Sequence, residues 1–403
     1  MIRKLVGAGV LATVLVAGTA VPGLAEAPRG WEQQAMRVPA AQRLAQGKGI
    51  IVAVLDTGVV KNHPEFRGRV TTGPDFIGGG ARPGQRHWGD HGTAMASSVL
   101  RVAPQSRVLS VRVIWDAEDP ARKRAEAAAK AGDTEAAEQS RKAGNSLAKG
   151  IRYAVDKGAR VISMSLGTAE WGWGGYEKDT AAAVDYAVSK GVILLASAGN
   201  GGSTDPLEVD ANNTMSYPAG YPGVIAVAAT APEGTRADFS QVHTYNTIAA
   251  PGVDIYAADN RGGHAMGNGT SPACALAAGT VALMLSRNPD LSPRQVRDIL
   301  VKTARKPPSG YTVFLGFGLI DAGAAVKAAG VAKPTEVAAV PYKGAKHFGN
   351  GPVGSPVTNP PIDSGYLVAG GVGVGIGLLC LGGALLLLRR PRARPTTHPQ
   401  PGA

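Results

Sequence analysis

The sequence is poor in cysteine, with only Cys274 and Cys380 among its 403 residues. Cys380 lies in a long uncharged run near the C-terminus, and Cys274 lies in a segment whose pattern predicts a helix. A Pro- and Gly-rich stretch separates the two, so we expect no disulfide between them. A body of about 300 residues can bury a large core and does not need such a crosslink.

Aromatic residues make up only 5% of the chain, and no loop concentrates acidic side chains. The formal net charge is +12, but no stripe of basic and aromatic residues accompanies it, so we expect no nucleic-acid partner. A calcium site needs several oxygen ligands in one loop. We therefore predict no metal and no cofactor, and we expect His63, in KNHPEF, to be structural.

Long apolar runs occur only near the two ends of the chain. Two basic residues precede the apolar stretch Leu5–Leu24, and the small-residue segment Ala25-Glu26-Ala27 follows it. A short basic region, an apolar core and an A-x-A site are typical of a secretory signal peptide. We assign residues 1–27 to a signal peptide that is removed after Ala25 or Ala27. A retained N-terminal membrane helix is the alternative.

A second apolar run, residues 367–388, carries no charge and is long enough to cross a bilayer as a helix. The tail 389–403 begins with arginines, and positive charge collects on the cytoplasmic side. We therefore expect a single-pass protein of the cell membrane with its body outside and its C-terminus in the cytoplasm. Residues 331–366, rich in Pro and Gly, predict a linker between body and anchor.

The body, residues 50–330, alternates short runs rich in Val and Ile with helical patterns, after an N-terminal extension at 28–49. Runs that are apolar on both faces predict buried parallel strands. The predicted strands are Ile50–Leu55, Val108–Ile114, Val161–Leu166, Val192–Ala196 and Val224–Ala229. The predicted helices are Thr93–Arg101, Ser146–Lys157, Asp179–Lys190, Pro272–Arg287 and Pro293–Ala304. This order predicts an α/β fold with a mostly parallel sheet covered on both faces, and with functional residues at the carboxyl ends of the strands.

One segment interrupts this alternation. Residues 116–144 are rich in Ala, Lys, Arg and Glu and lack a clear apolar stripe. Such a pattern predicts an exposed helix or helical hairpin, which we interpret as a surface insertion. The alternative is an element at the rim of a site that guides a substrate or a partner.

Three residues at strand or helix ends have the chemistry of a hydrolase. Asp56 ends the first predicted strand in VAVLDTGV, while His91 in DHGTAMA and Ser271 in GTSPA begin helices. A serine hydroxyl is a poor nucleophile until a base removes its proton, and the base needs an acid to orient it. Each residue alone is weak evidence, because a serine before a helix is usually a cap and a lone histidine is usually structural.

Five motifs together resemble one family. VAVLDTGV, DHGTAMA, SMSLGT, LLASAGN and GTSPA occur in the order of the subtilisin-like serine peptidases, the S8 family, over about Trp31 to Gly330. The resemblance implies a subtilisin-like three-layer sandwich and a serine-type endopeptidase. It also implies that Ser271 attacks the scissile carbonyl, His91 is the general base and Asp56 orients His91.

The same resemblance implies further site residues. Asn200, in LLASAGN, matches the asparagine whose side-chain amide donates to the oxyanion, and the Ser271 backbone N–H is the second donor. Ser165, Leu166 and Gly167 match the segment that pairs with an extended substrate backbone.

The chain departs from the family pattern at three positions. Pro272 directly follows the serine, where its missing N–H lies in the first helical turn and its fixed φ suits the helix. Ala275 stands where family members usually have proline. Asp90 stands where many have glycine, and a carboxylate beside His91 would raise the pKa of that imidazole.

The architecture narrows the resemblance. A signal peptide, a short extension, the peptidase body, a Pro-rich linker, one membrane span and a basic tail resemble the mycosins, membrane-anchored proteases associated with type VII secretion in actinobacteria. The expected function is hydrolysis of peptide bonds in exported proteins through an acyl-enzyme. The expected partners are protein or peptide substrates, the membrane and type VII secretion components. The alternative is a protease-shaped structural component that stabilises a membrane secretion complex.

Overall fold

The computed structural model describes residues 30–131, 134–167, 176–205, 207–208, 212–335 and 364–388. The chain divides into two compact units, Met1–Pro356 and Val357–Ala403. The predicted signal peptide, most of the predicted linker and the basic tail lie outside the described residues, so they remain predictions.

A seven-stranded parallel sheet forms the centre of the first unit, in the order β2-β3-β1-β4-β5-β6-β7. A small antiparallel hairpin, β8–β9, follows it along the chain. The strands are β1 (Ile51–Asp56), β2 (Val70–Asp75), β3 (Arg107–Arg112), β4 (Val161–Met164), β5 (Ile193–Ser197), β6 (Val224–Thr230), β7 (Asn246–Pro251), β8 (Ile255–Ala258) and β9 (His264–Gly267).

Helices cover both faces of this sheet. The helices are α1 (Trp31–Ala35), α2 (Val38–Gln42), α3 (Asp90–Val102), α4 (Pro120–Lys130), α5 (Thr134–Asp156), α6 (Lys178–Ser189), α7 (Thr270–Arg287), α8 (Pro293–Thr303), α9 (Ala322–Val331) and α10 (Ser364–Leu388). α3 and α7 build one apolar core against the sheet, and α5 and α6 build the other. The expected three-layer α/β sandwich is thus confirmed, because strands buried on both faces need two helical layers.

The segment predicted as a surface insertion differs from that prediction in two ways. α5 runs without a break from Thr134 to Asp156, so residue 144 is not a boundary. The start of the segment is buried rather than solvated, since Asp116, Asp119 and Arg122 are all less than a tenth exposed. A helical hairpin is present, but its first turns belong to the body of the domain.

A buried ion pair explains this anchoring. The Arg112 guanidinium, at the end of β3, is 2% exposed. Its two terminal nitrogens lie 2.8 Å from Asp75 Oδ2 and 3.0 Å from Asp119 Oδ2. It also lies over the Trp88 ring, 4.5 Å from the centroid. A buried cation needs such partners, so Asp119 is held to the carboxyl end of the sheet.

The N-terminal extension is also folded against the domain. The Trp31 indole nitrogen donates to the Val253 carbonyl oxygen at 3.0 Å, and Arg37 pairs with Asp321 at 2.9 Å. Two short helices, α1 and α2, therefore precede the sheet; α1 packs on α2, and α2 packs against α9 and α7.

α10 is the described part of the second unit. It contains a candidate membrane span, Val368–Leu386, with mean hydropathy 2.0. Its length and composition match the predicted anchor, and Cys380 within it is exposed while Cys274 in α7 is buried.

Candidate active site

Asp56 and His91 form a direct pair at the carboxyl end of β1. Asp56 is the last residue of that strand and is fully buried. Its Oδ1 accepts the Thr57 backbone N–H at 2.7 Å and lies 2.8 Å from His91 Nδ1. An ionised carboxylate can only accept, so the His91 Nδ1–H donates. In the neutral imidazole this leaves Nε2 as a proton acceptor.

Close packing of α3 on β1 makes the pair possible. His91 is the second residue of α3, and Gly92 follows it. A side chain at Gly92 would overlap the Gly58 carbonyl oxygen and touch the Asp56 Cβ. Gly58 itself has φ +99°, which only glycine adopts readily. The glycines of DHGT and DTG therefore let the helix approach the strand.

The first turn of α3 receives its hydrogen bonds from other elements. Asp116 accepts the backbone N–H of Asp90 on Oδ2 at 3.2 Å and that of His91 on Oδ1 at 3.1 Å. The Thr57 hydroxyl accepts from the Gly92 N–H at 3.0 Å. These N–H groups have no acceptor inside the helix, so side chains outside it satisfy them.

Asp116 lies in a polar but buried environment. Burial raises the pKa of its carboxyl to about 6, although the His91 N–H and the His91 charge act in the opposite direction. The nearby carboxylates Asp56 and Asp90 raise it further. Loss of water around a carboxylate disfavours its charged form, and like charges add to that effect.

Ser271 is the second residue of α7, beside the end of β4. Its hydroxyl donates to the Ser165 carbonyl oxygen at 3.3 Å, and the Ser165 hydroxyl donates back to the Ser271 carbonyl oxygen at 2.9 Å. Ser271 and His91 line the same two pockets, so the hydroxyl and the imidazole share one cavity.

The Asn200 side chain is fixed by its oxygen. Oδ1 accepts the Thr270 backbone N–H at 2.8 Å and the Thr270 hydroxyl at 2.9 Å. Because a backbone N–H can only donate, the amide orientation is determined and its NH₂ group is left for the pocket. The Ser271 N–H lies in the first turn of α7 and has no acceptor within the helix. Two donors thus meet at the same cavity.

Two pockets meet at His91, Asn200 and Ser271. The first has a volume of about 70 Å³ and lies between α3 and the β8–β9 hairpin, with walls of Ala94, Met95, Ile255, Ala265 and Met266. The second has a volume of about 40 Å³ and lies against the β3–α4 connection, with walls of Thr57, Ile114, Trp115, Asp116, Arg122 and Leu166.

The hairpin wall is tied to α3 by Glu65. The carboxylate accepts from Arg101 at 2.8 and 3.0 Å and from Ser97 at 2.8 Å, and it lies 2.6 Å from His264 in β9. Burial alone would raise the pKa of Glu65, but these donors and the Arg101 charge lower it to about 2. Three hydrogen-bonding partners stabilise the ionised form of a carboxylate.

The segment Ser165–Gly167 follows β4 and lies only partly in the second pocket. Ser165 and Leu166 line it, whereas Gly167 is not among the lining residues. The Leu166 carbonyl oxygen accepts from the Ser197 hydroxyl at 3.1 Å. A side chain at Gly167 would overlap the Ser216 hydroxyl unless that hydroxyl rotated away.

The structure brings His91, Asn200 and Ser271 to both pockets, and Ser165 and Leu166 to the second. Asp56 and Gly167 line neither pocket, and fully buried Asp56 contacts the site through His91. The structure also adds three residues that sequence reasoning missed. Asp116, Arg122 and Thr57 line the second pocket. No local pattern indicates Asp116, which lies 25 residues from His91 along the chain and inside the predicted insertion. Among the described residues, no group of three or more His, Cys, Asp or Glu could hold a metal ion.

Comparison with known proteins assigns the chain to a family. Residues 47–332 match the Subtilase family, Peptidase S8. Thermitase of Thermoactinomyces vulgaris is 32% identical over 315 residues, which are 74% of this chain and 96% of thermitase. This chain is a subtilase. As a member of that family it is a serine-type endopeptidase.

Solved structures of two mycosins resemble this subtilase. MycP1 from Mycobacterium smegmatis is 28% identical, with a TM-score of 0.59 over 76% of this chain and 87% of that chain. The MycP3 protease from the type VII (ESX-3) secretion system is also 28% identical, with a TM-score of 0.60 over 76% of this chain and 90% of that chain. The protein is therefore a subtilisin-like protease close in structure to mycosins.

Proposed function

We propose that Asp56, His91 and Ser271 are the catalytic triad of this subtilase and that it cleaves peptide bonds through an acyl-enzyme. The observation that carries the proposal is the 2.8 Å contact between Asp56 Oδ1 and His91 Nδ1, with His91 and Ser271 in one cavity. A carboxylate, an imidazole and a hydroxyl are the three groups that nucleophilic acyl transfer by a serine needs.

The reaction proceeds in two steps. His91 Nε2 takes the Ser271 hydroxyl proton as the oxygen attacks the scissile carbonyl, then gives that proton to the leaving amine. An ester on Ser271 remains, and a water molecule activated by the same imidazole hydrolyses it. Asp56 holds the tautomer that keeps Nε2 free of hydrogen and stabilises the imidazolium that forms.

The negative oxygen of each tetrahedral intermediate binds to Asn200 and to the Ser271 N–H. The Asn200 NH₂ is available because Thr270 occupies the amide oxygen. The N-terminus of α7 carries a partial positive charge that favours the oxyanion. Donors that are already oriented cost no reorganisation when the charge develops.

The two pockets hold opposite sides of the scissile bond. The backbone of Ser165, Leu166 and Gly167 pairs with the extended acyl side of the substrate. The Ser165 carbonyl oxygen, now bonded to the Ser271 hydroxyl, then accepts a substrate N–H. The pocket between α3 and the hairpin receives the leaving side, and its alanine and methionine walls suit small apolar side chains.

The protein works outside the membrane on exported proteins. α10 is long and apolar enough to cross a bilayer. Solved structures similar to the body include MycP1 and the MycP3 protease from the type VII (ESX-3) secretion system. We place the catalytic domain outside and the C-terminus in the cytoplasm, with residues 1–27 removed as a signal peptide. Its partners are protein substrates, the membrane and secretion components.

Fluorophosphonate labelling tests the triad. The probe reacts only with an activated serine, so folded wild-type protein should be labelled on Ser271 and should cleave a peptide library. Ser271→Ala should lose both, with activity down by about 10⁶, the loss known for the nucleophile of subtilisin itself. Absence of labelling in folded wild type would refute the triad. If Ser271→Ala restored secretion to cells lacking the chain, a structural role would explain that phenotype.

A further inference from the structure

The helix that carries His91 begins without a capping side chain of its own. Its N-cap residue is Gly89, with φ 66° and no side-chain hydrogen bond. The backbone N–H groups of Asp90 and His91 are instead accepted by the two oxygens of one carboxylate, Asp116, at 3.2 and 3.1 Å. The position of the His91 backbone is therefore determined by a residue from another part of the fold.

The backbone around Asp116 is itself held in place on both sides along the chain. Just before it, the Val113 N–H donates to the Asp56 carbonyl oxygen at 2.9 Å, which extends the pairing of β3 with β1. Just after it, the Asp119 N–H donates to the Asp116 carbonyl oxygen at 3.1 Å, and Asp119 is paired with buried Arg112. Asp116 is thus a rigid support, 5% exposed, rather than a mobile surface group.

The same carboxylate interacts electrostatically with the imidazole. His91 and Asp116 attract each other, while Asp56 on β1 and Asp90 on α3 add negative charge. From α4, Arg122 lines the pocket with Asp116. Coupling between two charges is reciprocal, so the Asp116 charge raises the pKa of His91.

We propose that Asp116 is a positioning residue for the catalytic histidine: it fixes the backbone of the first turn of α3 and its charge tunes the proton affinity of the imidazole. This inference rests on the proposed triad. Two carboxylates then act on different atoms of His91, Asp56 on the ring and Asp116 on the backbone. Displacement of a catalytic group by about 1 Å can cost about 10²-fold in rate, which is why the backbone contact matters.

Asp116→Asn tests both the backbone contact and the electrostatic effect. The asparagine side chain has the same size, but it has one hydrogen-bond acceptor fewer and no charge. The measurement is kcat and KM for a peptide from about pH 5 to pH 9. The plateau kcat should fall at least about tenfold, with KM within about twofold. The fall of kcat on the acid side of the pH profile, its acid limb, should move to lower pH, since loss of a nearby negative charge lowers the pKa of His91. A substitution that only distorted the local structure would lower kcat without shifting the acid limb of the pH profile.

Glu118→Gln is the matched control. Glu118 lies two residues further along the same connection, is exposed and pairs with Lys123. Its substitution removes the same charge without touching α3, so kcat, KM and the acid limb should stay as in the wild type. An unchanged plateau in Asp116→Asn, or a lower plateau with an unmoved acid limb, would overturn the proposal.

A measurement on the wild type covers the case in which Asp116→Asn does not fold. With a carboxyl pKa of about 6, Asp116 should take up a proton of its own as the pH falls, in addition to the proton taken up by His91. The rate of fluorophosphonate labelling should then fall more steeply than one proton allows. If the labelling rate falls with pH as expected for the uptake of one proton, the role proposed for Asp116 is contradicted. No labelling at any pH would instead contradict the triad, so the two failures are distinguishable.

Discussion

The helices that carry site residues begin differently from α8 and α9, the last two helices of the first unit. α8 begins with a capping box, in which the side chain of Ser292 accepts the backbone N–H of Gln295 and the side chain of Gln295 accepts that of Ser292. α9 begins with Asp321, whose carboxylate accepts the Ala324 N–H at 2.9 Å. α3 and α7 instead follow Gly89 and Gly269, and neither glycine offers a side-chain cap.

The acceptors for α3 and α7 come from far along the chain. Asp116 lies 25 residues from His91, and Asn200 lies 70 residues from Thr270. A local cap needs only its own helix, whereas a distant cap joins the start of the helix to another element of the fold. It also leaves the space in front of the helix open, where a substrate can approach the first-turn residues His91 and Ser271.

Among the residues that cap helices, the largest effect is expected at Asn200, which both caps α7 and faces the pocket. Asn200→Ala should lower kcat by about 10²–10³ with little change in KM, the loss known for one oxyanion donor in subtilisin. Steady-state kinetics on a peptide substrate measures it. Equal kcat in the variant and the wild type would contradict the oxyanion role.

Asn200→Asp separates the two tasks of this residue. It keeps an oxygen that can accept the Thr270 N–H, but it replaces the NH₂ donor with a negatively charged oxygen. We expect its kcat to be as low as that of Asn200→Ala or lower, while its thermal stability stays nearer to the wild type. The opposite order would show that capping α7 is the main function of Asn200.

The next largest effect is a loss of stability at the middle of α3, where Ser97 and Arg101 donate hydrogen bonds to the Glu65 carboxylate. The pKa of Glu65 is lowered from 4.5 to about 2, so its contribution to stability is present above pH 4.5 and is lost as the pH falls toward 2. Glu65→Gln should reduce the free energy of unfolding by about 3 kcal/mol at pH 7.

Urea unfolding at several pH values measures this dependence. The difference in free energy of unfolding between Glu65→Gln and the wild type should become smaller as the pH drops below 4.5. Glu233→Gln, which changes an exposed carboxylate, should give no such difference. A difference that is constant with pH would mean that the glutamate acts by packing rather than by charge.

The smallest effect is expected at the local cap of α8. Ser292→Ala removes the hydroxyl that accepts the Gln295 N–H at 3.3 Å. Unfolding should become easier by about 1 kcal/mol, with kcat unchanged, because this cap is not part of the cavity. Arg294→Ala on the exposed face of the same helix should change stability by less than about 0.5 kcal/mol. A loss of kcat in Ser292→Ala would contradict the expectation that a local cap affects stability only, whereas a distant cap also affects activity.

Strands buried on both faces were the most predictable part of the fold. Five runs rich in Val and Ile correspond to β1, β3, β4, β5 and β6, with ends that differ by at most two residues from the predictions. β2 and the β8–β9 hairpin were missed. β2 is an edge strand with one buried residue among its six, so burial imposes no apolar pattern on it. β7 was missed as well, because NTIAAP mixes polar residues and proline with its apolar ones.

The site residues were predictable where their motifs are local. The glycines around Asp56 and His91 are needed for the approach of α3 to β1, and this need leaves a recognisable pattern in the sequence. Asp116 has no such pattern, because its partners are backbone N–H groups that any residue supplies. The buried start of the predicted insertion was missed for a similar reason: its anchor is Arg112, which lies on another element.

The sequence alone determined the alternation of five buried strands with helices, the identity of Asp56, His91 and Ser271 as candidates, and the apolar run near the C-terminus. These follow from short-range rules, since periodicity, turns and local spacing depend on neighbours in the chain. The tertiary structure alone decided which carboxylate supports His91, which amide oxygen caps α7 and which side chains wall the two pockets. Those contacts join residues far apart in sequence, and only packing of the sheet and its helices brings them within hydrogen-bonding distance.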